Sequence, residues 1–374
     1  MSGNARLSDR IKEEIMGRIN EKTAKSKFKE GTLEEAKEKI SPWFSHTDKE
    51  FEGNDAFEWV WLSSLVPNWK EGKDYQDVKV RLFMRSFFDE SAQARIPEID
   101  PVYRPNLKSL CELAYSIDHT VSPVMLEGMP SVGKSSLQNY FNAITNRPMF
   151  RFNYNGTMDS ASLLGTQSAK AGSTQWHDGL IAEAIQVPYA VLLNDEWSCC
   201  PPEVVMAMQY LLERNGKLLL PDKPGSAADK FITPAVGVRI VFADNTKGNG
   251  DATGKFVGTQ PQNSATLDRI GSFIHVDFLP KNDEIDMLQH VFPDLTKRLA
   301  SAMVGVAGLC RTAYAQGNLP IIMSARVLFS WAEHALNLKD YKKALEIAYI
   351  NRFDSESERQ AVLGFVQTVF GKGE

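Results

Sequence analysis

A stretch with the composition of a phosphate-binding loop lies near the middle of the chain. Residues 126–136 are LEGMPSVGKSS, in which Gly128 to Ser135 match the pattern G-x-x-x-x-G-K-[ST]. In such loops, backbone N–H groups surround phosphate oxygens, the lysine reaches the β and γ phosphates, and the last hydroxyl binds Mg²⁺. The pattern therefore predicts a site for ATP and Mg²⁺. The predicted nucleotide-binding residues of this loop are Gly128, Pro130, Ser131, Val132, Gly133, Lys134, Ser135 and Ser136.

Two acidic residues follow an apolar run further along the chain, in the segment AVLLNDEW. A phosphate-loop enzyme needs one acid near the metal ion and one group that orients the attacking water. We assign Asp195, together with Ser135, to the metal and Glu196 to the water. The alternative is that both acids only cap the next helix. Asn194 interrupts the apolar run, and it either bonds the catalytic machinery or lies at the edge of the strand.

A third polar position follows the apolar run RIVFA, where Asn245 opens a long polar segment that ends at Arg269. Ligands of parallel sheets bind beyond the carboxyl ends of the strands. Asn245 could therefore bond the attacking water or the γ-phosphate. A turn-forming asparagine that merely opens the loop is the alternative.

A parallel sheet would bring these residues together. The candidate strands are 123–127, 149–153, 189–194, 239–243 and 272–278. Helical periods lie between them, one beginning at Ser135 and another running from Pro201 to Asn215. This alternation predicts an α/β domain with helices on both faces of a parallel sheet. Beyond Pro280 only helical periodicity is found, which predicts a small all-helical domain.

The first 97 residues differ in character from the rest. Apolar residues from Leu7 to Ile19 recur at helical spacing, and Thr32 with Glu35 forms a capping box that predicts a second helix. Tryptophans at 43, 59, 61 and 69 favour a small packed core over a partner-binding surface. The proline-containing segment IPEIDPVYRPN predicts an extended boundary. We therefore divide the chain into a mostly helical N-terminal module (1–97), a P-loop domain (98–279) and a helical domain (280–374).

The overall composition is that of a folded protein, with 374 residues, 43% hydrophobic and 24% charged. The sequence contains neither a run of about 18 apolar residues nor a secretory signal, so we expect a cytoplasmic protein that does not enter a membrane. The four scattered cysteines are expected to be small buried hydrophobes in a reducing compartment. A net charge of -5 argues against a dedicated nucleic-acid binder.

From about residue 98 to 371 the chain resembles AAA+ ATPases of the MoxR clade, and it is most similar to the small ATPase subunit of aerobic cobaltochelatase. Residues 1–97 are not covered by this resemblance. Beyond the phosphate loop and the Asp–Glu pair, the resemblance rests on SASLLGTQ (160–167), WHDGLIAEA (176–184), GDATGKFVGTQ (250–260), LDR (267–269), MSARVLFSWAEHA (323–335) and NRFDSESER (351–359).

The resemblance implies a hexameric ring with ATP bound between subunits. In it, Asn245 resembles the first sensor, Arg269 the arginine finger that acts on a neighbour's ATP, and Arg326 the second sensor in the helical lid. Two inserts of the clade would correspond to about 158–182 and 214–238, projecting toward the pore or a partner. The chain departs from the family where Asn194 replaces an apolar residue and where Ser-Ala-Arg replaces Ser-Pro-Arg.

We therefore expect an ATP-hydrolysing remodeller that acts on a protein partner. In this family the partner is often a protein with a von Willebrand A metal-binding domain, and metal insertion is one form of the activity. One alternative is a nucleic-acid-directed motor, which the acidic balance disfavours. The other is a non-hydrolysing, nucleotide-gated scaffold, which would have no need of a water-orienting acid such as Glu196.

Overall fold

A computed structural model describes residues 56–170, 173–250 and 258–371. The two helices predicted from Leu7 and Thr32, Trp43 and most of the segment 250–260 lie outside these ranges. Among the described residues, no helix combines the length and apolar character needed to cross a membrane.

The strands form one five-stranded sheet and three two-stranded hairpins among the described residues. They are β1 (Phe57–Trp61), β2 (Lys79–Phe83), β3 (Val124–Glu127), β4 (Met149–Asn153), β5 (Gly165–Lys170), β6 (Ser173–Asp178), β7 (Val191–Asp195), β8 (Leu218–Leu219), β9 (Phe231–Ile232), β10 (Arg239–Asp244) and β11 (Ser272–His275).

The α-helices of the described residues alternate with these strands up to β11 and then follow one another. They are α1 (Leu62–Leu65), α2 (Glu90–Gln93), α3 (Leu107–His119), α4 (Lys134–Thr145), α5 (Ser160–Leu164), α6 (Leu180–Ala184), α7 (Pro202–Met206), α8 (Ser264–Leu267), α9 (Lys281–Val291), α10 (Lys297–Ala315), α11 (Ala325–Leu338), α12 (Tyr341–Ala348) and α13 (Glu356–Phe370). Short 3-10 turns occur at Arg85–Phe87, Trp197–Cys199, Gln209–Leu212 and Ile350–Arg352.

The central sheet confirms the predicted parallel α/β architecture. Its order is β11–β3–β10–β7–β4, and every neighbouring pair is parallel. In register, Asp244 lies beside Glu127, and Ala243 lies beside Asp195. The carboxyl ends of β3, β10 and β7 therefore meet at one edge, and the segments that follow these strands start side by side.

Two hydrophobic layers cover the sheet, as the alternation of side chains along a strand requires. Leu193 and Val241 pack in one cluster with residues of α3 and α4. Leu192 and Phe242 pack in a second cluster with residues of α5, α6 and α7. The helix predicted to run from Pro201 to Asn215 is shorter than expected. It ends at Met206, and the 3-10 turn that follows buries Leu211 and Leu212 in the same cluster.

The described part of the segment 1–97 is built into the core of the P-loop domain. Strands β1 and β2 form an antiparallel hairpin rather than helices. Val60, Leu62, Val66 and Val80 are buried in the cluster that also contains residues of α3 and α4. The proline-containing segment after residue 96 therefore does not divide two cores, because the hairpin before it packs on the helices after it.

The helices after Pro280 form a hydrophobic cluster of their own, with Trp331 fully buried in it. The two inserts implied by the resemblance contain the hairpins β5–β6 and β8–β9. The Gln167 amide in the first insert donates a hydrogen bond to the Asp222 carbonyl in the second, at 2.7 Å. This bond joins the two inserts to each other.

Three of the four cysteines are buried as expected, whereas Cys199 is partly exposed. Burial raises the pKa of the Cys111, Cys200 and Cys310 thiols to about 12. These three thiols therefore remain protonated at neutral pH and act as apolar side chains.

Candidate nucleotide-binding site

The phosphate-binding loop lies between β3 and α4, where the prediction placed it. Gly128 and Gly133 have φ angles of 153° and 97°, a region that side chains with a Cβ rarely adopt. A Cβ at Gly128 would also lie 2.2 Å from the Val276 carbonyl oxygen. Glycine is therefore required at Gly128 for two independent reasons, conformation and space.

Lys134, the first residue of α4, has its amino group inside this loop. Its side chain is only 8% exposed, and its Nζ donates to the carbonyls of Gly128 (2.9 Å) and Met129 (3.1 Å) and to Asn245 Oδ1 (2.6 Å). Burial lowers the pKa of Lys134, and the surrounding carboxylates, led by Glu196, oppose that shift. All three hydrogen-bond acceptors are neutral. Phosphate oxygens would make stronger, charge-assisted hydrogen bonds with this amino group.

Ser135 and Asp195, the two residues predicted to hold the metal, contact each other directly. The Ser135 hydroxyl donates to Asp195 Oδ2 at 2.6 Å, and Arg151 donates to the same oxygen at 2.5 Å. A hydroxyl and a carboxylate are hard oxygen ligands, which suit Mg²⁺, and Mg²⁺ commonly takes its other ligands from phosphates and water. The described residues contain no group of three or more His, Cys, Asp and Glu side chains that could hold a metal alone. The chemistry of this donor pair thus fits a metal ion that arrives with phosphate.

Glu196 directly follows Asp195 at the end of β7. Its φ of 55° is left-handed, a conformation that costs about 1–3 kcal/mol for a residue other than glycine and that is concentrated at functional sites. Partial burial and the neighbouring Asp195 carboxylate raise the pKa of the Glu196 side chain. A carboxylate with a raised pKa is a better proton acceptor, which suits a residue that orients or activates water.

The two asparagines singled out in the sequence have different surroundings. Asn245 lies at the predicted edge of the sheet, where its Oδ1 accepts from Lys134. Asn194 is fully buried, accepts a hydrogen bond from the Tyr154 hydroxyl at 2.8 Å and donates to the Val241 carbonyl at 3.1 Å. The hydrogen-bond partners of Asn194 among the described residues include no predicted site residue, so the interpretation that it bonds the catalytic machinery was wrong. It is the second-last residue of β7, a strand that lies between β10 and β4.

A cavity of about 210 Å³ lies between the phosphate loop and the helical lid. Ser131, Val132, Gly133 and Ser136 line it from the loop side, and Arg326 lines it from the first turn of α11. Ser324 caps that helix by accepting from the Val327 N–H at 3.3 Å, so the helix begins normally without the usual proline. The second-sensor candidate therefore lies on the same cavity as the loop.

The same cavity is also lined by residues 100–106, a segment that the sequence predicted only as a boundary. Tyr103 lies against the loop, since a Cβ placed on Gly133 would be 3.7 Å from its hydroxyl. Burial raises the pKa of Tyr103, which keeps its hydroxyl protonated. The prolines around Tyr103 hid its role, because they predict an extended chain and do not indicate what that chain packs against.

Arg269 lies apart from this cluster within its own chain. Its guanidinium donates to Glu213 Oε1 at 2.6 Å and to the Ala265 carbonyl at 2.5 Å, and it does not line the cavity. The structure thus brings together the loop, the Asp–Glu pair, Asn245 and Arg326, and it leaves Arg269 outside.

Sequence reasoning missed two charged residues near the site. Arg151 in β4 pairs with Asp195, and Asp244, the last residue of β10, is 2% exposed. Asp244 follows an apolar strand just as Asp195 does, and that shared pattern was the signal that could have identified it. Nothing in the local sequence around Arg151 indicated its role.

A phosphate loop, an acidic pair and a polar strand end on one parallel sheet, followed by a helical domain, define an AAA+ nucleotide-binding protein. The family model described as AAA domain (dynein-related subfamily) matches residues 123–269. The aerobic cobaltochelatase subunit CobS of Sinorhizobium sp is 31% identical over 286 residues, which span 74% of this chain and 84% of CobS. The chain therefore belongs to the AAA+ ATPase family that includes CobS, as the resemblance implied.

Two further similarities are more limited. Midasin of Dictyostelium discoideum is 30% identical over 125 residues, which span 33% of this chain and 2% of midasin. Among solved structures, the RuvB Holliday junction branch migration motor of Thermotoga maritima has a TM-score of 0.38 and 14% identity, with 71% of each chain covered.

Proposed function

We propose that this chain hydrolyses ATP with Mg²⁺ and uses the energy to change the conformation of a protein partner. The observation that carries the proposal is the contact of Lys134 with Asn245 and of Ser135 with Asp195 at one edge of the sheet, where Glu196 follows. These are the groups that phosphoryl transfer to water needs, positioned by three separate parts of the chain.

Each group has a distinct role in this proposal. Lys134 binds the β and γ phosphates, and Ser135 and Asp195 hold the metal. When bound, Mg²⁺ neutralises charge on the phosphate oxygens. Glu196 orients the attacking water, and Asn245 bonds that water or the γ-phosphate.

The positions of Arg269 and Arg326 support a mechanism in which ATP hydrolysis depends on lid movement and on a neighbouring subunit. Arg326 lines the cavity from the lid, so lid movement would change its distance from the bound phosphates. Arg269 has no part in the cavity of its own chain and carries an exchangeable ion pair with Glu213. We propose that Arg269 acts on ATP held by a neighbouring subunit, in a ring that we take to be hexameric.

The relationship to CobS, a subunit of aerobic cobaltochelatase, supports a protein partner. We propose that the partner carries a von Willebrand A metal-binding domain and that the chain acts in a chelatase-like way. The joined inserts, which lie outside the nucleotide site, are the proposed contact surface. The MoxR-type resemblance of the inserts is a further support.

A comparison of Glu196→Gln with Lys134→Ala tests the hydrolytic part. Glu196→Gln should retain ATP through gel filtration and release phosphate very slowly, because the metal ligand Asp195 survives while the orientation of water is lost. Lys134→Ala should lose nucleotide binding, because no other described residue places a cation in the loop. Glu203→Gln, an exposed acid in the first turn of α7, is the matched control and should behave like the wild type.

Three possible results would contradict the proposal, each in a different way. Wild-type phosphate release by Glu196→Gln would reduce Glu196 to a turn residue and contradict its role. A wild-type protein that binds ATP without releasing phosphate would instead be a nucleotide-gated scaffold. Strong stimulation of hydrolysis by DNA would indicate a nucleic-acid-directed motor.

A further inference from the structure

Asp244 is a buried carboxylate whose hydrogen bonds go to turn residues rather than to the predicted nucleotide ligands, while its charge opposes the lowering of the Lys134 pKa. It ends β10, is 2% exposed and immediately precedes Asn245. Removing a charged group from water is costly unless hydrogen bonds compensate for the lost hydration. The hydrogen bonds of this carboxylate therefore indicate why the fold retains it.

The carboxylate bonds two different turns. Its Oδ2 accepts from the Thr246 N–H (2.8 Å), the Thr246 hydroxyl (2.8 Å) and the Gly248 N–H (2.9 Å). Its Oδ1 accepts from the Ser198 N–H at 3.2 Å, and the Ser198 and Thr246 hydroxyls are 3.0 Å apart. One side chain thus fixes the turn 245–248 against the turn 197–199.

These two turns carry the two groups proposed to act on water. The turn 197–199 starts at Glu196, whose carbonyl accepts from the Cys199 N–H at 2.9 Å. The turn 245–248 starts at Asn245, whose side chain accepts from Lys134. Any displacement of the Asp244 carboxylate would therefore move Glu196 and Asn245 relative to each other.

The same turns also hold the segment that leads to Arg269. The Gln260 N–H donates to the Ser198 carbonyl and the Gln262 N–H donates to the Gly248 carbonyl, both at 2.7 Å. Gly248 packs so tightly that an added Cβ would lie 2.7 Å from Leu267. The two turns that Asp244 holds together thus also contact residues 260–262 and Leu267, on the segment that leads to Arg269.

We infer that Asp244 is a positioning residue for ATP hydrolysis, which sets Glu196 and Asn245 in their relative places without touching the nucleotide. The inference rests on the proposed function. Four donors face the carboxylate, three N–H groups and one hydroxyl. An amide in its place would turn an NH₂ group toward donors, so an aspartate is required where a turn alone would accept asparagine.

The test is Asp244→Asn, measured as kcat and KM for ATP together with nucleotide affinity. We expect kcat to fall by about 10²-fold, since misplacement of catalytic groups by an ångström has that effect. KM and ATP affinity should stay within about threefold, because the hydrogen bonds of Lys134 go to Gly128, Met129 and Asn245 and none of them goes to Asp244. Asp89→Asn is the matched control, since this exposed carboxylate also accepts a backbone N–H and a hydroxyl, from Ala92 and Ser91, and its change should leave kcat unaltered.

Two further variants separate positioning from a general structural role. Thr246→Val keeps the backbone N–H but removes the hydroxyl bonds to Asp244 and Ser198, so it should lower kcat less, again without a change in KM. It also provides the test if Asp244→Asn does not fold. In a Glu196→Gln background, Asp244→Asn should cause no further loss, because residues that act as a unit are not additive.

Three outcomes would overturn the inference. They are an unchanged kcat in Asp244→Asn and Thr246→Val, a parallel loss of kcat and ATP affinity, or fully multiplicative effects of Asp244→Asn and Glu196→Gln. Wild-type turnover in the same assay distinguishes this failure from failure of the proposed function. Without wild-type hydrolysis the proposed function fails, whereas with it only the role of Asp244 is at issue.

Discussion

The two edges of the central sheet both contain buried charged side chains, and they use them in opposite ways. At the carboxyl edge, Lys134 bonds only neutral oxygens, and Asp195 is shared between a hydroxyl and a partly exposed arginine. At the amino edge, Asp118 pairs with Arg81 (2.9 Å) and with Arg147. Only Pro148 separates Arg147 from the start of β4. All three side chains there are at most 2% exposed.

Aromatic rings complete the amino-edge cluster. The Arg147 guanidinium lies over the rings of Phe83 and Phe141, and that of Arg81 lies over Phe57. Burial alone would raise the pKa of the Asp118 carboxyl, but the guanidinium groups of Arg147 and Arg81 outweigh it and hold this pKa below its usual value. Because Arg81 belongs to β2, this cluster attaches the N-terminal hairpin to the P-loop domain.

The contrast shows what distinguishes a site from a structural cluster in this fold. At the carboxyl edge, Lys134 has only neutral partners and Asp195 has a hydroxyl and a partly exposed arginine, so a phosphate and its metal can take the place of these partners. The charges at the amino edge are paired with one another and enclosed by rings. We therefore expect changes at the carboxyl edge to alter activity and changes at the amino edge to alter stability.

The largest expected effect extends the comparison beyond one subunit. Arg269→Ala should bind ATP and lose about 10³–10⁵ in turnover, the range for removal of an arginine finger. Steady-state phosphate release measures the expected loss of turnover, and nucleotide affinity measures the expected retention of ATP binding. Arg352→Ala, a change to an exposed arginine of the lid, is the control and should keep normal turnover.

Mixed assemblies sharpen this prediction. Lys134→Ala subunits keep Arg269, and Arg269→Ala subunits keep a sound loop, so some interfaces in a mixture contain a complete site. The mixture should regain activity that neither variant has alone. Near-normal turnover by Arg269→Ala on its own would show that Arg269 is a surface charge paired with Glu213.

The next effect tests the amino edge. Asp118→Asn should lower the free energy of unfolding by about 3–5 kcal/mol, because it removes the carboxylate charge that pairs with two buried guanidinium groups. Denaturant titration measures the loss. Asp74→Asn, a change in the exposed stretch between β1 and β2, is a suitable control.

The pH dependence of this stability has a definite sign. The pKa of Asp118 is depressed in the folded state, so its contribution is present above the unfolded-state pKa and is lost as pH falls through the folded-state pKa. The Asp118→Asn variant should therefore show a smaller loss of stability on acidification. An equal acid dependence in both proteins would contradict the role assigned to this carboxylate.

The smallest effect concerns a polar residue close to the site that we regard as structural. Asn194→Leu should cost about 1–3 kcal/mol of stability, because the buried Tyr154 hydroxyl loses its acceptor. Adding Tyr154→Phe should restore much of that loss, since it removes the unsatisfied group. Thermal unfolding measures both, and a selective loss of ATP turnover in Asn194→Leu would instead place Asn194 in the site.

The sequence by itself determined the phosphate loop, the five sheet strands and the helical lid. The glycines and the lysine of the loop lie within eight consecutive residues, and each strand is a short apolar run with its own period. Such features depend on neighbours along the chain, so a local pattern is enough to predict them. The rule that strand ends share one edge then placed Asn245 near Lys134.

Only the tertiary structure decided the roles of Asp244, Asn194 and the N-terminal hairpin. Asp244 bonds Ser198 across 46 residues, Asn194 bonds Tyr154 across 40, and Arg81 pairs with Asp118 across 37. An aspartate at a strand end, an asparagine in a strand and an arginine in a hairpin are compatible with many surroundings. Their partners are set by which segments the packed core brings together, and that choice depends on the whole chain rather than on any stretch of it.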